Sequence, residues 1–182
     1  MTRHPKTSSA KDTMVNARKL RRIDGPTTDM PATHHLLVGF DRCPSSQQAL
    51  RFAITLAAPL NAHLHVAHII DLEDFPIDPD GDDWEQRFAD ELAQERARAC
   101  DLLGALPGNW TYSAHHGGPA HTLTTLAEAD DALMIIIGAA RGGLMSSLDR
   151  AMGVSVSAHL IRHTHCPVLV VPDATGPAKA VE

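Results

Sequence analysis

The sequence predicts an α/β fold in which five parallel strands form a doubly wound sheet. Two observations support this prediction: short apolar runs alternate with longer segments of helical periodicity, and several of these runs are apolar throughout. Such alternation requires crossover connections, which place helices on both faces of a parallel sheet. Ligands of such sheets bind at the carboxyl ends of the strands, near the point where strand order reverses.

The strands are predicted where a short apolar or alternating run ends at a polar or glycine-containing segment. The first run, HLLVGF, ends at Asp41, and the fourth, LMIII, ends at Gly138. The five predicted strands cover residues 35–40, 62–70, 110–115, 133–137 and 167–171.

Helices are predicted between the strands from their start signals and apolar stripes. Pro44 is predicted to begin the first helix. Proline is favourable at the first helical position because the N–H group that it lacks would have no hydrogen-bond partner there. Gly117 and Gly118 turn the chain into the third helix. The remaining predicted helices cover residues 83–103 and about 153–164.

Charge divides the 182-residue chain into an extension and a single domain. Residues 1–33 contain seven Lys and Arg against three Asp, whereas the remainder contains nine against nineteen acidic residues. We therefore expect a flexible basic extension over 1–33, one domain over 34–173 and a tail over 174–182. The acidic domain argues against duplex nucleic acid as its main ligand. The basic extension remains a candidate contact for RNA, lipid or a protein partner.

No apolar run in the sequence approaches the length of a membrane span. The three cysteines are far apart in sequence. Unpaired, scattered cysteines are typical of a reducing compartment. Together with the absence of a recognisable secretory signal, these features predict a cytoplasmic protein with no membrane segment.

The loop after the fourth strand contains groups suited to phosphate binding. Its sequence over 138–157 is GAARGGLMSSLDRAMGVSVS. A lysine-based phosphate loop is excluded because no lysine occurs between Lys19 and Lys179, and a dinucleotide fingerprint is excluded because the chain contains no GxG. The remaining phosphate-binding groups are backbone N–H groups, hydroxyls and the guanidinium of Arg141, placed before a helix N-terminus.

Four stretches in order resemble the universal stress protein family. They are LLVGFDRCPSSQQAL, HLHVAHII, HGGPAHTLTTLAEADDALMIIIGAARGG and SVSAHLIRHTHCPVLVVP, and together they cover about Leu36 to Pro172. The resemblance implies an adenine nucleotide alpha hydrolase-like fold and a role in stress response. It also implies a homodimer, often paired through the last strand, here Pro167 to Val171. Many members of the family bind ATP or AMP, and another branch does not.

By this resemblance, the candidate nucleotide site consists of Asp41, Ile70, Gly138, Arg141, Gly142, Gly143, Gly153, Ser155 and Ser157. The loop departs from the family pattern of Gly-x-x-Gly, nine residues, and Gly-Ser or Gly-Thr. Arg141 stands at the second glycine position, and Val154 separates Gly153 from Ser155. Asp41 has two interpretations, a contact to the nucleoside or a turn residue that caps the following helix.

Two functions therefore remain open from the sequence. One is a nucleotide-binding stress protein, and the other is a regulatory dimer that binds no nucleotide and acts through protein partners. An enzymatic role is limited to slow ATP hydrolysis, because no general base accompanies the loop, and no catalytic residue is predicted.

The twelve histidines and the thiol of Cys43 suggest further chemistry. His159 and His163 share a helix face at the spacing of zinc ligands, but no HExxH pattern accompanies them. His63 and His65 share a strand face. Solvated or hydrogen-bonded histidines are the alternative, and no metal site is predicted. Cys43 precedes a helix and is either a reactive thiol or an ordinary turn residue.

Overall fold

A computed structural model describes residues 22–70, 84–139 and 156–173 of the chain. The strands are β1 (Arg22–Asp24), β2 (His34–Phe40), β3 (Ala62–Ile70), β4 (Trp110–His116), β5 (Met134–Gly138) and β6 (Val168–Val171). The helices are α1 (Pro44–Ala57), α2 (Trp84–Leu103), α3 (Pro119–Ala129) and α4 (Val156–His163). Strands and helices alternate from β2 to β6, so the predicted doubly wound α/β fold is confirmed. None of the helices in these ranges is long and apolar enough to cross a membrane.

The strand order of the sheet is β1-β4-β3-β2-β5-β6. Strands β2 to β6 are parallel, and β1 joins β4 in the antiparallel direction. From β2 the chain moves outward through β3 and β4, and it then returns to the other side of β2 to add β5 and β6. The strand order therefore reverses between β2 and β5.

Helices cover both faces of the sheet, and each face has its own apolar cluster. Leu36, Val38 and Val66 lie on the face that α1 and α2 cover, together with Leu50 and Leu103 of those helices. The opposite face buries a second cluster against α3 and α4, formed by Leu37, Ala67, Leu123, Ala127, Ile135, Ile137 and Leu160. Full burial of such an aliphatic side chain stabilises a fold by about 1.5–3 kcal/mol.

Strand β1, which the sequence did not predict, shortens the extension. The sequence predicts a flexible extension over 1–33, but Arg22, Ile23 and Asp24 pair with Ser113, Tyr112 and Thr111. The Gly25 N–H donates to the Trp110 carbonyl at 2.8 Å. A Cβ at Gly25 would lie 2.6 Å from Cδ2 of the Trp110 ring, so only glycine allows this approach. Three residues are too few for a periodic signal, which is why the sequence did not indicate β1.

Candidate functional site

The carboxyl ends of β2 and β5 lie side by side where strand order reverses. Leu36, Leu37 and Val38 pair with Met134, Ile135 and Ile136, so both strands finish at the same edge. Two of the sequence-predicted site residues, Asp41 and Gly138, lie at these two ends. This position is where doubly wound sheets bind their ligands. We refer to Asp41, Ser45, Ser46 and Gly138 as the switch-point site.

Asp41 forms a tight turn between β2 and α1. Its Oδ1 accepts a hydrogen bond from the Cys43 N–H at 2.7 Å. The Ser46 hydroxyl accepts the Asp41 N–H at 3.2 Å and lies 2.7 Å from the Asp41 carbonyl oxygen. The Asp41 side chain is exposed to solvent. Asp41 therefore shapes the turn while its carboxylate stays exposed to solvent.

Gly138 allows the backbone of α1 to lie directly against the end of β5. A Cβ at position 138 would lie 2.6 Å from the Ser46 nitrogen and 2.7 Å from the Ser45 carbonyl oxygen. These distances are shorter than any real Cβ contact, and backbone atoms cannot move aside as a flexible side chain can. Gly138 and Asp41 thus contact the same turn, which joins the two predicted residues structurally.

The other predicted site residues lie outside the turn that Asp41 and Gly138 contact, or outside the described ranges. Ile70 ends β3, and its side chain is only 4% exposed. Ser157 is half-buried in α4, which packs against α3 and β6. Five predicted residues lie outside the described ranges, namely Arg141, Gly142, Gly143, Gly153 and Ser155.

A buried polar group lies on the α1 and α2 face near Asp41. His68 Nδ1 shares a 2.9 Å hydrogen bond with the Tyr112 hydroxyl. Burial lowers the pKa of His68 to about 4, although the nearby Asp41 charge acts in the opposite direction. Burial also raises the pKa of the Tyr112 hydroxyl. Both side chains are therefore neutral at pH 7, and neither adds positive charge that would attract a phosphate.

Glu95 of α2 adds an acidic group to the same region. One of its oxygens lies 2.6 Å from Arg98 Nη1, while Oε2 is buried without a hydrogen-bond partner among the described residues. Burial raises the pKa of Glu95, and the charges of Glu91 and Asp41 act in the same direction. Phosphate charge at this edge would thus have to be met by backbone N–H groups and by arginine rather than by this cluster.

A second polar cluster lies on the opposite face of β3 and β4. His65 Nδ1 lies 2.5 Å from Oδ2 of Asp130, the residue that follows α3. Its Nε2 lies 2.6 Å from the Ser113 hydroxyl, which is 2.7 Å from Nε2 of His115. We refer to Asp130, His65, Ser113 and His115 as the histidine column. The sequence indicated that His63 and His65 share a face, but it did not identify Asp130 or Ser113 as partners, because they lie 65 and 48 residues away.

The remaining candidate groups form no metal cluster. Within residues 22–70, 84–139 and 156–173, no three His, Cys, Asp or Glu side chains lie close enough to hold a metal ion. The rings of His159 and His163 have centroids 4.3 Å apart. Cys43 is a half-buried cysteine outside any disulfide, at the N-cap of α1.

Sequence comparison relates the chain to proteins of one family. A family model described as the universal stress protein family matches residues 32–172. Universal stress protein MJ0531 of Methanocaldococcus jannaschii is 26% identical over 140 residues, which cover 75% of this chain and 80% of that protein. Universal stress protein Rv2623 of Mycobacterium tuberculosis is 27% identical over 143 residues, which cover 76% of this chain and 47% of that protein. The chain therefore spans about half the length of the mycobacterial relative.

Solved structures share the fold. Universal stress protein UspA from Lactobacillus plantarum superimposes with a TM-score of 0.58 at 22% identity, covering 77% of this chain and 98% of that one. A universal stress protein in complex with cAMP gives a TM-score of 0.54 at 24% identity, with coverages of 79% and 99%. A universal stress protein from Archaeoglobus fulgidus in complex with dAMP gives 0.54 at 17% identity, with coverages of 78% and 99%.

Proposed function

The chain belongs to the universal stress protein family, and from this premise we propose that it binds an adenine nucleotide, ATP or AMP, at the switch-point site. One observation carries the proposal: Asp41 and Gly138 lie at adjacent strand ends where strand order reverses, and both contact the Ser45–Ser46 turn. Solved members in complex with cAMP and dAMP support an adenine nucleotide as the ligand class. The proposed role is a nucleotide-responsive protein of stress adaptation in the cytoplasm.

The proposed contacts assign different parts of the ligand to different groups. The exposed carboxylate of Asp41 accepts hydrogen bonds from the nucleoside, as an acid at a strand end can do with a ribose. Gly138 keeps the end of β5 free of a side chain, so the loop that follows can approach the phosphates. Arg141, the backbone N–H groups of the following glycines and the hydroxyls of Ser155 and Ser157 meet the phosphate charge.

Calorimetric titration with ATP and AMP at millimolar concentration tests this function. We expect saturable heat with wild type and a weaker affinity with Arg141→Ala. The matched control is Arg87→Ala, which removes an exposed arginine from α2 and should leave the affinity unchanged. Absence of heat and of any thermal shift with wild type would contradict nucleotide binding. Phosphate release above that of Arg141→Ala would indicate slow hydrolysis in addition to binding.

We also propose that two chains pair through Pro167 to Val171, which contains β6. β6 lies at the end of the strand order, and Val170 on it and Ile161 on α4 are exposed apolar side chains. Val170→Lys should convert a dimer into a monomer in sedimentation-velocity measurements. Met30→Lys changes another exposed apolar position, away from β6, and should leave the dimer intact. A wild-type monomer, or a dimer that Val170→Lys does not affect, would contradict pairing through β6.

A second candidate function is a regulatory dimer that binds no nucleotide and acts through a protein partner. The observation in its favour is that one Asp41 oxygen already accepts the Cys43 N–H, which accounts for an acid at this position without a ligand. The basic extension is then the proposed partner contact. Because residues 22–24 belong to the sheet, the deletion that tests this role is 1–21. This deletion should abolish partner binding without changing the unfolding temperature. Unchanged binding would show that the extension is not the partner contact.

A further inference from the structure

The histidine column has the connectivity of an acid, an imidazole and a serine. The Asp130 carboxylate lies beside Nδ1 of His65, and the Ser113 hydroxyl lies 2.6 Å from Nε2 of the same ring. In hydrolases that use a nucleophilic serine, the carboxylate likewise holds one ring nitrogen and the serine occupies the other. No local sequence pattern marks the arrangement, because three different elements supply its members: β3, β4 and the end of α3.

When His65 is neutral, the hydrogen-bond partners assign a direction to each proton in the column. Asp130 accepts only, so His65 carries its proton on Nδ1 and its Nε2 is left as an acceptor. The Ser113 hydroxyl must then donate to His65 Nε2, and its oxygen accepts from His115 Nε2–H. His65 is therefore in the tautomer that can remove the Ser113 proton. This is the condition for activating a serine as a nucleophile.

The neighbouring strand β1 places Arg22 opposite Ser113 in the strand register. Arg22 is the register partner of Ser113, and directly paired residues of antiparallel strands project to the same face. The Arg22 guanidinium is held by Asp24 at 2.9 Å, and both side chains are largely exposed. A positive group next to an attacking oxygen can stabilise negative charge as it develops on a substrate carbonyl.

Access to Ser113 is narrow. Ser113 and His65 are 7% and 8% exposed, whereas Arg22, Asp24 and His116 are exposed and His115 is partly exposed. α3 packs on β2, β3 and β5, and β4 lies toward the β1 edge of the sheet. The low exposure of Ser113 restricts the reacting group to a small one.

We propose that Ser113 is a nucleophilic serine, activated by His65 and positioned through Asp130, that accepts the acyl group of a small activated ester. This activity is separate from nucleotide binding at the switch-point site.

In the proposed step, Ser113 Oγ bonds to the acyl carbon while its proton passes to His65 Nε2. The bond from the acyl carbon to the leaving oxygen then breaks, and the leaving group departs as the alcohol with the proton from His65 Nε2, or as its anion while that proton passes to solvent. Water, its proton taken by His65, attacks the acyl-serine; the carboxylic acid is released and Ser113 recovers its proton. Asp130 acts as a positioning residue because it contacts His65 and not the ester.

The test incubates the full chain with 4-nitrophenyl acetate, follows 4-nitrophenolate release, and locates the acetyl group by peptide mass spectrometry after acid quenching. We expect acetylation of Ser113, at a pH-dependent rate, and at least a tenfold lower rate in His65→Gln. Ser113→Ala should show no acetylation at that position. His63→Gln is the matched control, since His63 contacts the Thr111 hydroxyl at 2.9 Å outside the column, and it should react like wild type.

The pH profile separates a positioning role for Asp130 from a merely structural one. Asp130→Asn should lower the acetylation rate and shift its pH dependence, and Asp130→Glu should restore part of the rate. Circular dichroism establishes that each variant is folded. Folded wild type that gains no acetyl group on Ser113 would overturn the proposal. So would acetylation that His65→Gln leaves unchanged.

Discussion

The switch-point site and the histidine column use the same sheet in opposite ways. At the switch point, backbone atoms of α1 and β5 are in direct contact, and the Asp41 side chain is exposed to solvent. In the column, side chains from β3, β4 and α3 hydrogen-bond to one another and are mostly buried. One region leaves acceptor groups for a ligand, whereas the other satisfies its polar groups internally.

This difference indicates what each region can do. An open acceptor beside a strand end suits recognition of a ligand by hydrogen bonds that water would otherwise make. A closed chain of hydrogen bonds suits proton transfer between fixed neighbours, because every donor and acceptor already has a direction. Variants in one region should therefore leave the property of the other region unchanged.

The largest expected effect is on stability, at Gly138. Gly138→Val places side-chain atoms against the Ser45 and Ser46 backbone, and we expect a loss of about 2–5 kcal/mol in the free energy of unfolding, measured by urea denaturation. Gly118→Ser is the control, because a Cβ there meets no atom within 4 Å and Gly118 is the N-cap of α3. A fully stable Gly138→Val would show that α1 and β5 are not in contact.

The next effect is a pH dependence from His68, beneath the switch-point site. Its pKa in the folded protein is about 4, below the ordinary 6.5, so between these values the unfolded chain binds a proton that the folded chain does not. Stability from this group is present above pH 6.5 and is lost as the pH falls toward 4, by up to about 3 kcal/mol.

Unfolding measured between pH 7 and pH 4 checks this expectation. His68→Gln should remove that share of the acid destabilisation, while the exposed His121→Gln should retain it. Parallel curves for wild type and His68→Gln would contradict a buried, neutral His68.

A smaller stability change is expected in the histidine column. Ser113→Ala leaves nitrogens of His65 and His115 without their hydroxyl partner, and we expect a loss of about 1–2 kcal/mol in the free energy of unfolding. Thr125→Ala, which removes an exposed helix hydroxyl bonded to the His121 carbonyl, should change stability far less. The nucleotide affinity of Ser113→Ala should equal that of wild type. A weakened affinity would show that the two regions are coupled.

The smallest effect is expected at Asp41. Asp41→Asn keeps an oxygen that can accept the Cys43 N–H but removes the charge, so stability should hardly change. We expect a nucleotide affinity about tenfold weaker, since a hydrogen bond to a charged group is stronger by about 1.5 kcal/mol. Asp41→Ala should weaken binding similarly and also cost about 1 kcal/mol of stability, because the turn loses its acceptor. Unchanged affinity in both variants would leave Asp41 as a turn residue alone.

The two regions also differ in how far the sequence predicts them. Asp41 and Gly138 directly follow apolar runs, so their positions at strand ends can be predicted from periodicity. The predicted order of strands and helices along the chain, from β2 to β6, is confirmed. The contact of Gly138 with Ser45 and Ser46 depends on how α1 packs over β5, which no local pattern encodes. The partners of His65 depend on strand register and on the end of α3. The three residues of β1 are too few to show a period.

The most direct test of the central claim is to map ATP binding by amide chemical shifts of the isotopically labelled chain. Nucleotide binding at the switch-point site predicts that the largest changes in amide chemical shift on ATP addition occur at Asp41, Ser46 and Gly138. The amide signals of His65 and Ser113 should not change. Asp41→Asn should reach the same shifts only at higher ATP concentration. Unchanged chemical shifts at Asp41 and Gly138, or changes concentrated at the histidine column, would contradict nucleotide binding at the switch-point site.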